Sequence, residues 1–128
     1  MKKEQISFSY EVFGSIDSLS EADRQLLKKA RKVTKQAYAP YSRFFVGAAA
    51  LLQNGKTITG TNQENASSPV GLCAERVLLS ATASLYPAVP ILTIAISYIN
   101  NKNGKSEHPA TPCGVCRQSL LEYELRQQ

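Results

Sequence analysis

Residues 44–59 read FFVGAAALLQNGKTIT, and the fold follows from how that stretch divides. Phe44 to Leu52 is a nearly unbroken apolar run, short for a helix and well suited to a buried strand. Asn54-Gly55 separates it from Lys56-Thr57-Ile58-Thr59. Asn-Gly accepts positive φ at both central positions of a type I′ turn, the strongest short signal for a hairpin. Two antiparallel strands follow.

Working outward from the hairpin, Ser18 and Glu21 form a capping-box pattern that opens a helix. Behind them Leu19, Ala22, Leu26, Ala30, Val33 and Ala37 recur at spacings of three and four, one apolar stripe that Pro40 ends. Residues 1–17, with Phe8, Tyr10, Val12 and Phe13, alternate weakly and read as a short strand or an ordered arm. Downstream, residues 60–71 are polar and turn-rich. Cys73 to Leu85 reads as a second helix, closed by Pro87. Ile91 to Ile99 is a β-branched run bounded by Pro90 and Asn100, a buried strand. A loop carrying Asn103-Gly104 and Pro109 leads to Pro112, and helix formers dominate from Cys113 onward. The order helix, hairpin, helix, strand, helix gives an α/β layered domain, with helices covering a mixed sheet.

The chain has 128 residues, room for one domain spanning 1–128. A hydrophobic fraction of 43% with 20% charged residues excludes a disordered chain. No apolar run is long enough to span a bilayer. Polar residues interrupt the stretch behind Lys2 and Lys3, which argues against a secretory signal and makes the cytoplasm the expected compartment. Of the fifteen basic residues, Arg24, Lys28, Lys29, Arg31, Lys32 and Lys35 crowd onto the first helix. No aromatics interleave with them as a nucleic-acid platform requires, so the cluster reads as a solvated face.

The three cysteines carry the chemistry. Cys113 and Cys116 form a C-x₂-C pair directly after Pro112, and Cys73 stands forty residues earlier. Three thiolates make a soft site suited to Zn²⁺, and three protein ligands leave a fourth tetrahedral position open, as catalytic sites do. His108 could close the set as Cys₃His, although a lone loop histidine is more often solvated. Cys73 and Cys113 each open a helix, where free N–H groups and the positive dipole end favour thiolate. Arg76, adjacent to Cys73, is placed to donate to a thiolate sulfur and offset the charge of three such ligands. Glu75 sits in the first turn beside Cys73, close to the metal yet outside its ligand set, where it can exchange protons with water activated there. Alone, it would equally well be a carboxylate favouring the helix dipole.

Cys73-Ala74-Glu75-Arg76 followed by Pro112-Cys113-Gly114-Val115-Cys116-Arg117-Gln118 resembles the small homotetrameric cytidine deaminases, and the pattern is that of zinc deaminases generally. Two further stretches match, Ala39-Pro40-Tyr41-Ser42-Arg43-Phe44-Phe45-Val46-Gly47-Ala48-Ala49 and Asn62-Gln63-Glu64-Asn65-Ala66, so the likeness covers residues 30 to 125. It implies a three-layer domain with helices on both faces of the sheet, a homotetramer, and one Zn²⁺ per chain on Cys73, Cys113 and Cys116. It implies that Glu75 shuttles protons, that Asn62 and Glu64 hydrogen-bond ribose hydroxyls, that Phe44 packs near the nucleoside and that the Ala74 backbone contacts the pyrimidine. An amide and a carboxylate two apart on an extended segment point the same way and can bind a diol.

The sequence departs from the family in two places. Ser67-Ser68-Pro69 stands where the family commonly has an aromatic that reaches a neighbouring subunit's site. The family also continues with about two further strands, whereas this sequence stops at Gln128; that implies either a truncated chain or a three-stranded sheet with an exposed edge. The implied activity is zinc-dependent hydrolytic deamination of cytidine or deoxycytidine in pyrimidine salvage, with a small nucleoside and no nucleic acid or membrane as partner. Three other readings are a deaminase of a cytosine-nucleoside antibiotic such as blasticidin S, a C-x₂-C thiol–disulfide exchanger and a structural zinc module.

Overall fold

The apolar run at 44–52 becomes the central strand of the sheet. The structure is a computed structural model and describes residues 1–101 and 108–128, so the Asn103-Gly104 turn lies outside the described residues. Strand β1 (Phe44–Leu52) lies between β2 (Thr57–Thr61) and β3 (Ile91–Asn100), in the order β2-β1-β3. Helix α1 (Glu21–Val33) precedes the hairpin, α2 (Ala74–Leu85) links β2 to β3, and α3 (Gly114–Arg126) follows.

Both ladders are antiparallel, so the sheet is not mixed as the element order suggested. The reason is topological. β2, α2 and β3 form a crossover whose strands run the same way, but β1 lies between them and the parallel pair never becomes adjacent. Among the described residues one parallel bridge, Tyr38 to Gln63, stands outside the strands.

Alternation along β1 divides its side chains between two helical layers. Ala48, Ala50 and Leu52 pack with Ala74 and Leu78 of α2, whereas Ala49 packs with Leu26 and Ala30 of α1. Coverage on both faces explains why the strand is apolar at nearly every position. Small residues let the helices come very close. A Cβ at Gly47 would run into the Ala30 carbonyl of α1, and one at Gly60 would meet the Leu78 nitrogen at 2.5 Å and the Ala74 carbonyl at 2.6 Å.

Several boundaries differ from the sequence expectation. The helix cap is Ser20, whose hydroxyl oxygen accepts the Asp23 N–H at 3.1 Å; Ser18 is instead used by a 3₁₀ turn at Ile16–Ser18 that Ser15 caps. α1 stops at Val33, well before Pro40, because a 3₁₀ turn at Thr34–Gln36 takes over and the Thr34 hydroxyl donates to the Arg31 carbonyl at 2.7 Å. The hairpin is not a two-residue type I′ loop. Among the described residues only Gly55, at φ 80°, and Arg43, at φ 55°, have positive φ. The Gly55 N–H donates to the Leu52 carbonyl and the Leu52 N–H to the Lys56 carbonyl, both at 2.9 Å. That is a three-residue loop with glycine in the left-handed position. Residues 1–13 form neither helix nor strand.

α3 is held differently from the other helices, since Cys116 is its one buried residue. At its far end the Gln127 amide acts like a strand neighbour for Ile91, accepting the Ile91 N–H at 2.7 Å and donating to the Ile91 carbonyl at 3.3 Å.

The contact at Gly60 yields a test of the packing. Gly60→Ala forces backbone against backbone, so it should destabilise the fold by about 1–3 kcal/mol, the usual range for overpacking. Urea unfolding measures this, and an unchanged midpoint would show that α2 does not press on β2 as described.

Candidate active site

Two helices begin with cysteine, and both aim their first turns at the same place. Cys73 is the N-cap of α2 and Cys113 the N-cap of α3, with Cys116 one turn inside α3. The three sulfurs lie within 4.8 Å of one another, and Cys73 Sγ is 3.8 Å from Cys113 Sγ. Zn–S bonds of ~2.3 Å in tetrahedral geometry require sulfurs about 3.8 Å apart, so the donor set fits zinc in both chemistry and spacing. Among the described residues no histidine or carboxylate joins this cluster. His108 is exposed in its loop and does not make the set Cys₃His.

The surroundings treat the three thiols differently. The Cys116 N–H donates to Cys113 Sγ at 3.4 Å, and this backbone donor at the start of α3 holds the Cys113 thiol below its ordinary range. Burial pushes the Cys73 and Cys116 thiols up, Cys116 most strongly. Without a cation, two of the three resist ionisation; a divalent metal reverses that preference, because a coordinating thiol is deprotonated outright.

A cavity of about 520 Å³ opens beside the sulfurs. Cys73, Cys113 and Glu75 line it, as do Phe44, Asn62, Glu64 and Ala74, so the expected substrate-contact positions face one space. Glu75 is only 7% exposed. Ala74 is fully buried, and its N–H, the first of α2, has no intrahelical acceptor.

Asn62 and Glu64 are each anchored by the strand entrance. The Asn62 side-chain carbonyl accepts the Val46 N–H and its NH₂ donates to the Phe44 carbonyl, both at 2.8 Å. Each end keeps one further hydrogen-bond site. Glu64 Oε2 accepts the Tyr41 N–H at 2.9 Å and the Ser42 N–H at 3.3 Å. The Ser42 hydroxyl and these two N–H groups hold the Glu64 carboxyl below the usual carboxylate range, so it is ionised at neutral pH.

Arg76 departs from its expected place. It faces a groove between α2 and α3 with Leu79, Ser119 and Glu122, and among the described residues it makes no hydrogen bond to sulfur. Arg117 is the arginine that braces the cysteine turn, donating from Nε to the Pro112 carbonyl at 3.0 Å.

Sequence reasoning also missed Tyr98. Its ring stacks on Phe44 with centroids 4.7 Å apart, and its hydroxyl donates to the His108 carbonyl at 2.6 Å. Period-two alternation was the available signal, because Ile96, two residues earlier on β3, lines the cavity. Ser68 lines it as well, at the position where the family commonly carries an aromatic.

Comparison with known proteins agrees with this geometry. Residues 20–127 match the family described as the cytidine and deoxycytidylate deaminase zinc-binding region. The chain is 42% identical over 101 residues to a cytidine deaminase of Halalkalibacterium halodurans, covering 78% of this chain and 71% of that one. It is 38% identical over 99 residues to a cytidine deaminase of Mycoplasma genitalium, covering 77% and 70%. Among solved structures, the cytidine deaminase of Mycobacterium tuberculosis superposes with a TM-score of 0.65 at 40% identity, covering 77% of this chain and 75% of that one. That of Burkholderia pseudomallei gives 0.67 at 36% identity, covering 80% and 76%. With the sulfur cluster, the buried carboxylate and the matched length in agreement, the chain belongs to the cytidine and deoxycytidylate deaminase zinc-binding family.

Proposed function

We propose that this chain is a zinc-dependent deaminase of free cytidine or deoxycytidine, which consumes water and releases uridine or deoxyuridine and ammonia. The observation that carries the reading is a cluster of three cysteine sulfurs, two of them on a cavity that a buried, non-ligating Glu75 also lines. Cys73, Cys113 and Cys116 would hold one zinc. When bound, zinc supplies Lewis-acid activation of a water molecule in the cavity. Glu75 moves the protons: it takes one from the attacking water and delivers it to N3 of the ring, then takes the second proton of that water from the oxygen added at C4 and hands it to the amine leaving C4. Its burial limits competing bulk water, which strengthens each transfer.

The remaining lining residues orient the nucleoside. Phe44, fixed by its stack on Tyr98, offers an apolar face to the ring system. The Ala74 N–H offers a backbone donor to the pyrimidine. Asn62 and Glu64, with capacity left over from their backbone anchors, receive the sugar hydroxyls. A thiol–disulfide exchanger would leave Glu75, Asn62 and Glu64 without work. We further infer a single domain that acts in the cytoplasm in pyrimidine salvage and self-associates as a homotetramer. Exposed Leu72, which lines the cavity, and exposed Val70 and Val115 support the association. Among the described residues no helix is long and apolar enough to cross a membrane.

Three measurements test the reading. The purified protein should carry about one zinc per chain, and Cys116→Ala should lose both metal and stability, because binding energy at such a site is folding energy. A metal-free protein with full activity would refute the assignment. Glu75→Gln should retain zinc and fold while kcat drops by at least about a hundredfold; near wild-type turnover would move the proton shuttle to another group. Cytidine should be preferred over free cytosine by several kcal/mol in kcat/KM terms, as a substrate that leaves polar site groups unpaired is disfavoured. Equal kcat/KM for the two would strip Asn62 and Glu64 of their role.

A further inference from the structure

Tyr98 is tied to two parts of the cavity lining that lie far apart in the sequence. In the ladder between β1 and β3, Val46 pairs with Tyr98 and Phe44 with Asn100, so Phe44 and Tyr98 are diagonal neighbours on one face of the sheet. Diagonal positions are within reach of aromatic side chains. Here the two rings stack, centroids 4.7 Å apart and planes 23° apart. The Phe44 backbone is already fixed, because its N–H donates to the Ser42 hydroxyl oxygen at 3.1 Å and its carbonyl accepts the Asn62 NH₂ at 2.8 Å. Those bonds leave the ring its own rotation, and the Tyr98 ring opposes it.

The hydroxyl of the same side chain acts on a second segment. It donates to the His108 carbonyl at 2.6 Å and accepts the His108 N–H at 3.4 Å, so it engages both backbone polar groups of one residue. Residues 108–112 then lead into Cys113, and Ala110 and Thr111 of that stretch line the same cavity as Phe44. At the far end the stretch is held by Arg117, through the Pro112 carbonyl at 3.0 Å. Between these two ties it forms neither helix nor strand. Tyr98 stands behind the cavity lining rather than in it.

We propose that Tyr98 is a positioning residue for nucleoside binding, a role that rests on the deaminase reading. Its ring keeps the Phe44 ring in place against the nucleoside, and its hydroxyl keeps Ala110 and Thr111 at the spacing the same nucleoside fits. Tyr98 itself touches no reacting atom. It removes the ordering cost that two loose parts of the lining would add to binding. Such a contribution is equal in the ground state and the transition state, so its loss raises KM and leaves kcat in place.

The full-length, zinc-loaded protein provides the test, as wild type, Tyr98→Phe and Tyr98→Leu. The quantities measured are kcat and KM for cytidine, Kd for uridine by calorimetry, and zinc per chain. Tyr98→Leu loses both ring and hydroxyl, and should raise KM and Kd about tenfold with kcat within about twofold and zinc unchanged. Tyr98→Phe keeps the ring; it should raise them about threefold and speed hydrogen exchange at the His108, Ala110 and Thr111 amides. In a Phe44→Leu background, Tyr98→Leu should cost only the roughly threefold that belongs to the hydroxyl, because the ring has nothing left to hold. Wild-type KM and Kd in Tyr98→Leu would overturn the proposal, and so would a full tenfold loss in the Phe44→Leu background. Zinc and kcat falling together at unchanged KM would overturn it too, as the mark of a side chain that only supports the fold. Should Tyr98→Leu fail to fold, Tyr98→Phe decides alone, and unchanged KM, Kd and amide exchange in it would be fatal. Wild type that binds uridine but releases no ammonia from cytidine would refute the deaminase reading, while the uridine Kd values still decide the role of Tyr98. Wild type that binds neither nucleoside would overturn both.

Discussion

The site depends on a contact in which nothing projects. Gly60 on β2 lies against the backbone of α2 at Ala74 and Leu78, too close for any side chain. That approach sets the height of α2 above the sheet, and with it the positions of its N-cap Cys73 and first-turn Glu75. Gly47 plays the corresponding part against α1 on the opposite face. The short side chains of Ala48, Ala49 and Ala50 continue both contacts along β1. The cysteine of the sulfur cluster and the carboxylate proposed to carry protons are therefore positioned by the absence of Cβ atoms a layer below.

Much of this was legible in the residues, and the limits have physical causes. The hairpin, α2 and β3 could be read because long apolar runs bounded by Asn, Gly and Pro leave few alternatives. The cysteine cluster could be read because soft ligands at helix starts have few other uses. The turn at Asn54-Gly55 was misjudged in type, since the same dipeptide serves a three-residue loop with only the glycine left-handed. The cap moved from Ser18 to Ser20 because a 3₁₀ turn competed for the same hydroxyl-rich stretch. The sheet's direction lay beyond local pattern altogether, as the crossover from β2 to β3 fixes parallel travel but not which strand lies between. Arg76 and Tyr98 show the same limit at the site: Arg76 also lines a groove between α2 and α3, and Tyr98 shares the alternation of Ile96 although its stack on Phe44 is a tertiary contact.

Asn62 and Glu64, proposed to receive the sugar hydroxyls, also hold the backbone around them. The Asn62 amide prolongs the β2 ladder past its last strand residue by bonding the β1 backbone at Phe44 and Val46. Glu64 closes the turn at Tyr41 and Ser42 that delivers the chain into β1, where Arg43 takes up positive φ. Both side chains are therefore oriented before any ligand arrives. Preorganisation of this kind removes ordering cost from binding.

The attachment of α3 has a thermodynamic consequence. With Cys116 its one buried side chain, the helix is secured at its start by whatever joins the three sulfurs and at its end by the Gln127 amide on Ile91. The two anchors share one rigid rod about 20 Å long. Loosening either raises the entropy that the other must overcome. The apparent zinc affinity is thus a property of the whole rod, linked to a hydrogen-bonded amide at the opposite end from the metal.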